Sequence, residues 1–138
     1  MTFTGTKFAA NIKSLGSYLG TLQNVSFENF VLHDVGKAIN IDLNGQSQGT
    51  GSQRGTGMGT GRDVGTILVR NVTFRNFTGS AAVAGTFDCP GSGEQCAGIV
   101  LEDIDITGTT QGFTCEGGVQ GHAVRCSPKA PCLGPSEP

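Results

Sequence analysis

The chain is poor in several residue types that whole classes of protein depend on. Its 138 residues include no Trp and a single Tyr. Only 14% of them are Asp, Glu, Lys or Arg, compared with about 25% in a typical domain. No apolar run approaches the roughly 18 residues of a membrane-spanning helix. The 9 Lys and Arg do not exceed the 11 Asp and Glu, so no basic surface is available for nucleic acid. The composition therefore predicts neither a membrane protein nor a nucleic-acid-binding protein.

Strong helix formers are also scarce, whereas glycine is abundant. Gly accounts for 23 of the 138 residues, and each Gly inside a helix costs about 1 kcal/mol relative to Ala. The glycines follow no strict three-residue period, which excludes collagen. A turn-rich all-β protein with the length of one domain is the class that remains.

The sequence contains no recognisable site for a metal or a cofactor. His33 and His122 are not spaced like zinc ligands, and no two Cys are separated by two residues. The Gly-rich residues 44–64 lack the Gly-Lys-Ser/Thr of a phosphate-binding loop. We therefore expect no cofactor and no metal, and we interpret residues 44–64 as a surface loop.

Cysteines and glycosylation sequons both favour a secreted protein. The five cysteines allow two disulfides with one thiol left over, and they all lie in the last third of the chain, at Cys89, Cys96, Cys115, Cys126 and Cys132. Three sequons begin at Asn24, Asn71 and Asn76, which are candidate glycosylation sites. The first residues do not resemble a signal peptide, so we expect the chain to be part of a longer secreted protein.

A repeated pattern of apolar residues predicts the architecture. Residues 22–30 match residues 69–77 at an offset of 47, and a third copy begins at Leu101 after a further 32 residues. Within the first copy, apolar residues recur in alternating steps of three and two. Steps of two are typical of a strand, and steps of three indicate a bend between short strands. The pattern predicts coils that stack through parallel strands and bury their inner faces against one another.

The same pattern predicts which parts of the chain lie in register. Phe27 is expected to lie above Phe74 and Ile106. Removing the 21 residues of the 44–64 loop reduces the offset of 47 to 26, so we interpret this loop as an insertion between coils. Residues 117–138 contain four prolines and little periodicity, and they are predicted to form an extended, disulfide-tied cap.

The order of these segments resembles the C-terminal third of glycoside hydrolase family 28, which comprises the polygalacturonases and their relatives. The resemblance rests on Asn-Val-x-Phe-x-Asn-Phe followed by residues 34–42, on Asn11 and Lys13 in place of the family's Arg-Ile-Lys motif, and on the placement of the cysteines. It implies a right-handed, single-stranded parallel β-helix. Residues 1–138 would be a single partial domain, comprising about the last three to four coils and the cap.

The resemblance also implies a function. Members of the family hydrolyse α-1,4 bonds between galacturonate units with inversion, which requires a general acid and water-activating carboxylates about 6.5–9.5 Å apart. The partner would be pectin of the cell wall, and the location would be extracellular. The family's Asn-Thr-Asp, Asp-Asp and Gly-His-Gly motifs are missing from the chain. We therefore expect no catalytic residue and no activity of the chain alone. The alternative is a non-catalytic, pectin-binding or structural β-helix module.

Two substrate-binding residues and two disulfides follow from the resemblance. Asn11 stands where the family has Arg, so the two-pronged contact to a carboxylate is lost, whereas Lys13 retains a point charge for a galacturonate. The implied disulfides join Cys89 to Cys96, and Cys115 to either Cys126 or Cys132.

Other titratable residues are expected to have no catalytic role. Glu102, Asp103, Asp105 and His33 are predicted to lie on the solvated outer face, and His122 is predicted to lie in the cap. Asp34 and Asp42 could approach the groove, but the sequence identifies no catalytic partner for them. The chain would also expose a cross-section of its core at its N-terminal end. We therefore expect self-association through that end.

Overall fold

The structure is a computed structural model that describes residues 1–13, 20–43, 67–89 and 95–135. The loop predicted at 44–64 lies outside these residues. None of the described segments contains a helix that is long and apolar enough to cross a membrane. The described strands are β1 Thr2–Thr4, β2 Phe8–Lys13, β3 Gly20–Asp42, β4 Ile67–Cys89, β5 Cys96–Thr107, β6 Gln111–Gly117, β7 Val119–Ser127 and β8 Gly134–Pro135.

The described strands pair in parallel, and each pass of the chain lies on the pass before it. Strands β1 and β2 pair with β3, and β3 pairs with β4. Strand β4 pairs with both β5 and β6, β5 pairs with β7, and β7 pairs with β8. Parallel neighbours need a long connection between them, and here each coil supplies that connection. The prediction of an all-β protein built as a parallel β-helix is confirmed.

Asparagine and aspartate residues bend the two 23-residue strands at the steps of three. In β3 the φ angles of Asn24, Asn29 and Asp34 are 61°, 65° and 55°, and in β4 those of Asn71 and Asn76 are 56° and 61°. Residues with short polar side chains tolerate this left-handed conformation better than other non-glycine residues do. The bends predicted from the apolar spacing therefore occur where the sequence has a residue that permits them.

The bends in successive coils lie above one another and are joined by side-chain amides. Asn71 donates from Nδ2 to Oδ1 of Asn24 at 3.3 Å. Asn76 donates in the same way to Asn29 at 2.7 Å. These bonds run along the stack, so each corner of one coil is tied to the same corner of the next.

The core consists of apolar side chains stacked between coils. The rings of Phe30 and Phe77 lie with their centroids 4.5 Å apart and nearly parallel, and Phe27 stacks on Phe74 at 5.2 Å. Offset stacking adds about 0.5–1.5 kcal/mol to the energy of burial. The largest fully buried side chains are Phe74, Phe77, Phe87, Leu32, Ile39, Ile41, Ile99, Leu101, Ile104, Val35, Val69 and Val72.

The predicted register of the third repeat is wrong by five residues. Phe74 pairs with Leu101 rather than with Ile106, and Ile106 pairs instead with Gly79. Steps of three and two sum to five, so a shift of five residues leaves the apolar pattern unchanged. A side chain at Gly79 would place its Cβ 2.0 Å from the carbonyl oxygen of Leu32, which makes this a position of close backbone approach.

Two disulfides occur within the described residues. Cys89 is bonded to Cys96. Cys115 is bonded to Cys132, and these two residues are 17 positions apart in sequence. Cys126 is a free thiol, and burial raises its pKa to about 11. The second bridge therefore uses the later of the two cysteines that the sequence left open.

The tail contains a regular strand before it becomes irregular. Strand β7, which occupies Val119–Ser127, pairs with β5 and so continues the stack into the region predicted as a cap. Beyond it, Ala130 and Leu133 are buried, with exposed fractions of 6% and 3%. The role of residues 117–138 as a cap stays a prediction.

Candidate functional site

An open groove runs across three strands on one face of the coil stack. It lies over the second half of β3, the second half of β4 and β6, and β2 lies beside it. Its volume is about 410 Å³. The residues that line it are Lys37, Asn40, Asp42, Thr86, Phe87, Asp88, Thr114, Cys115 and Glu116. Most of these side chains are polar, so the groove is suited to a polar ligand rather than to an apolar one.

Strand alternation explains why polar residues lie over a closed core. Ile39 and Ile41 are fully buried, with exposed fractions of 0%. Successive side chains of a strand point to opposite faces, so Asn40 and Asp42 are presented together on the groove side. Asn11 and Lys13 have the same spacing on β2, which pairs with this part of β3.

The first row of groove residues joins four coils. Asn11 pairs with Asn40, Asn40 with Thr86, and Thr86 with Thr114. Neighbouring strands are about 4.8 Å apart, so the row forms a continuous polar path along the stack axis.

A connected hydrogen-bond network holds this row in place. Asn40 donates from Nδ2 to Oδ1 of Asn11 at 2.8 Å, and its own Oδ1 accepts from Oγ1 of Thr86 at 2.7 Å. Lys37 donates from Nζ to Oγ1 of Thr86 at 3.0 Å and to Asn40 at 3.4 Å. Asn40 is only 6% exposed, and a buried amide without such partners would be destabilising.

The charge of the side chains in the second row changes from positive to negative along the stack. Lys13 pairs with Asp42, Asp42 with Asp88, and Asp88 with Glu116. The row thus begins with an ammonium on β2 and continues with carboxylates on β3, β4 and β6.

Lys37 is the cation of the groove that is most affected by its surroundings. Burial lowers the pKa of its ammonium below the ordinary value, Asp42 acts against this shift, and Lys7 adds to it. The ring of Phe8 lies 5.8 Å from Nζ of Lys37 and 5.5 Å from Nζ of Lys7. Both distances are within the range of a cation–π interaction.

The two predicted substrate-binding residues, Lys13 and Asn11, lie on β2 next to the groove, where they pair with Asp42 and Asn40, but neither lines the groove. Their substrate-binding role stays a prediction. The sequence reasoning did not identify Lys37 and Thr86 as site residues. Finding them would have required the register between coils, because they are far apart in sequence.

The outer carboxylates lie away from the groove and form ion pairs. Arg75 binds Glu28 at 3.2 Å and Glu102 at 3.0 Å. Arg125 binds Glu102 at 3.4 Å and also Asp103. The hydrogen bond from Arg125 lowers the pKa of the Asp103 carboxyl. This charged ladder links the four stacked strands β3, β4, β5 and β7 on the solvated side of the stack, where such pairs contribute little energy.

The remaining candidates lie elsewhere in the described part of the chain. Asp42 lines the groove, whereas Asp34 lies at an exposed bend, where its backbone N–H donates to Oγ of Ser80 at 2.8 Å. His33 and Asp105 are exposed, and His122 is half-buried in β7. The sequon residues Asn24, Asn71 and Asn76 are all exposed at bends. Among described residues, no three His, Cys, Asp or Glu form a metal-binding group.

Sequence comparison adds a family and a set of relatives. The family model described as glycosyl hydrolases family 28 matches residues 1–126. The relatives include a probable endopolygalacturonase B of Aspergillus kawachii and an endopolygalacturonase B of Aspergillus niger. Each is 29% identical over 108 residues, which make up 76% of this chain and 27% of the relative. The chain therefore spans about a quarter of the length of these relatives. No solved structure matches it.

Proposed function

The chain belongs to glycosyl hydrolases family 28, and from this premise we propose that it supplies the C-terminal, substrate-holding coils of a pectin-degrading hydrolase. The substrate would be a polymer of α-1,4-linked galacturonate, cleaved with inversion by a complete enzyme. The family match to residues 1–126 and the endopolygalacturonase relatives support this proposal. A protein with this substrate would act outside the cell, which agrees with the disulfides and with the exposed sequons at Asn24, Asn71 and Asn76.

The position of Lys13 is the observation that carries the proposal. It lies on β2, two residues from Asn11 and on the same side of the strand. These two residues pair with Asp42 and Asn40, which line the groove. Hydroxyl groups of a sugar chain would bind the Asn and Thr side chains of the first row. A galacturonate carboxylate would bind Lys13 as a point charge.

The chain alone is proposed to bind and not to cleave. Inverting hydrolysis needs two carboxyl groups about 6.5–9.5 Å apart with room for a water molecule between them. The three catalytic motifs of the family are missing from these 138 residues. A pectin-binding module without catalysis is the second candidate, and the polar groove favours it equally.

Binding and cleavage assays test the proposal separately. Calorimetric titration of the full chain with oligogalacturonate is expected to show binding that Lys13→Met weakens. Lys129→Met is the matched control, because Lys129 is exposed and lies outside the groove. Absence of binding would refute the substrate-holding role. Release of reducing sugar from polygalacturonate by the chain alone would refute the proposal that it cannot cleave.

A further inference from the structure

We propose that the two halves of the groove prefer different units of a pectic chain. The half on β3, where Lys37 lines the groove and Lys13 of the adjacent β2 lies beside it, binds the carboxylate of a free galacturonate. The half on β4 and β6, which carries Asp88 and Glu116, favours an uncharged, methyl-esterified unit. This inference rests on the proposed function and deepens it, because it names the pattern of esterification that the site distinguishes.

Lys37 is placed to take over the contact that Asn11 cannot make. Its Nζ lies 3.0 Å from Oγ1 of Thr86 and 3.4 Å from Oδ1 of Asn40. Asn40 in turn donates to Asn11 at 2.8 Å. One continuous hydrogen-bond network therefore carries a positive charge into the same polar row as Asn11, from the neighbouring coil.

The groove wall at this end carries Lys37 and one carboxylate, that of Asp42. Two further ammonium groups, those of Lys7 and Lys13, lie on the adjacent coil, so positive charge exceeds negative charge here. Lys7 and Lys37 both lie over the ring of Phe8, at 5.5 and 5.8 Å from its centroid. Burial lowers the pKa of Lys37, Asp42 acts against this shift and Lys7 adds to it. An arriving carboxylate would favour the protonated ammonium in the same way as Asp42 does.

The other end of the groove has the opposite sign. Asp88 and Glu116 are direct neighbours in the second row, and both line the groove. Glu116 is exposed, so its carboxylate faces any ligand that extends over β6. A free galacturonate there would meet like charge, which selects against it. A methyl ester removes the charge of the sugar and leaves its hydroxyl groups for the Thr side chains of the first row.

The test compares two probes on the full chain, an oligogalacturonate without methyl esters and the same oligomer fully esterified. Lys37→Met is expected to weaken binding of the free oligomer about tenfold, the scale of one hydrogen bond to a charged group, and to leave the esterified oligomer within about twofold. Lys37→Arg retains the charge and should recover most of the loss. Lys129→Met makes the same charge change at an exposed position outside the groove and should have little effect.

A second variant tests the acidic half without touching the buried network. Glu116→Gln is expected to strengthen binding of the free oligomer about two- to threefold, the scale of one exposed charge pair, with no change for the esterified oligomer. Asp105→Asn is its matched control, because Asp105 is exposed and lies outside the groove. If Lys37→Met does not fold, as judged by circular dichroism, the response to Glu116→Gln decides the test.

The outcomes separate this inference from the proposed function. If the free oligomer binds but Lys37→Met matches Lys129→Met, or Glu116→Gln matches Asp105→Asn, the inference is wrong and the proposed function stands. If neither oligomer binds the wild-type chain, both are wrong.

Discussion

Two segments of nearly identical sequence, residues 22–30 in β3 and residues 69–77 in β4, lie in different surroundings. Phe74 in the second segment is completely buried, with an exposed fraction of 0%. Phe27, its counterpart in the first segment, is only half-buried. Strand β4 lies between β3 and β5, whereas among the described strands none pairs with the other edge of residues 20–30.

The comparison shows that burial in this fold comes from the neighbouring coil rather than from the sequence of a coil itself. Both segments form the same bends and present the same apolar residues inward. Only the segment that is paired with a coil on each side, residues 69–77, buries its apolar side chains completely. This is the behaviour of a repeat architecture, in which each unit is completed by its neighbours.

The largest expected effect is a difference between two matched truncations. Phe74→Ala should lower the free energy of unfolding by about 3–5 kcal/mol, because it leaves a cavity between two coils. Phe27→Ala removes the same atoms from a half-buried position and should cost about 1–2 kcal/mol. Urea unfolding of both variants measures the difference. Equal losses of unfolding free energy would show that the unpaired edge of β3, at residues 20–30, is covered in solution.

A charge on the open edge should act on association more than on stability. We expect the chain to associate at high concentration through the partly exposed apolar side chains within residues 20–30. Val25→Lys should shift it toward the monomer, since charge on an edge opposes pairing. Light scattering over a concentration series measures the shift, and Gln23→Lys on the exposed face is the control. A wild-type chain that is monomeric throughout the series would contradict this expectation.

The smallest effect is expected from the charged ladder on the outer face, which links coils without burial. The Asp103 carboxyl has a pKa below its ordinary value of 3.8 because of Arg125. The pair therefore stabilises the folded state above that pH, and its contribution is lost as the pH falls through the lowered value. Asp103→Asn should shift the urea midpoint slightly at pH 7 and by less at pH 2. A shift of the same size at both pH values would mean that the side chain acts by packing.

The local features of the fold were predictable from the sequence. Alternating steps of three and two placed the bends, and Asn24, Asn29, Asn71 and Asn76 lie at them with positive φ. The pairing register of the third repeat, which begins at Leu101, was not predictable from this pattern. A five-residue shift repeats the same steps of three and two and places Phe74 on Ile106 instead of Leu101, so the local pattern alone does not distinguish the two registers.

The candidate site was predictable only in part. Lys13 and Asn11 were identified because they form one short motif. Lys37 and Thr86 are 49 residues apart in sequence but hydrogen-bonded, and no local pattern connects them. Their proximity arises from stacking, which places the groove-facing residues of one coil beside those of the next.

The sequence by itself determined what each coil looks like. The apolar spacing sets which side chains face inward, and the asparagines set where the chain turns, because both depend on sterics within a few residues. Only the tertiary structure decided which residue of one coil lies on which residue of the next. That register in turn decides how deeply each Phe is buried and which charges share the groove. The reason is that stacking is a long-range choice between registers that look alike locally, and the packing of side chains between coils decides between them.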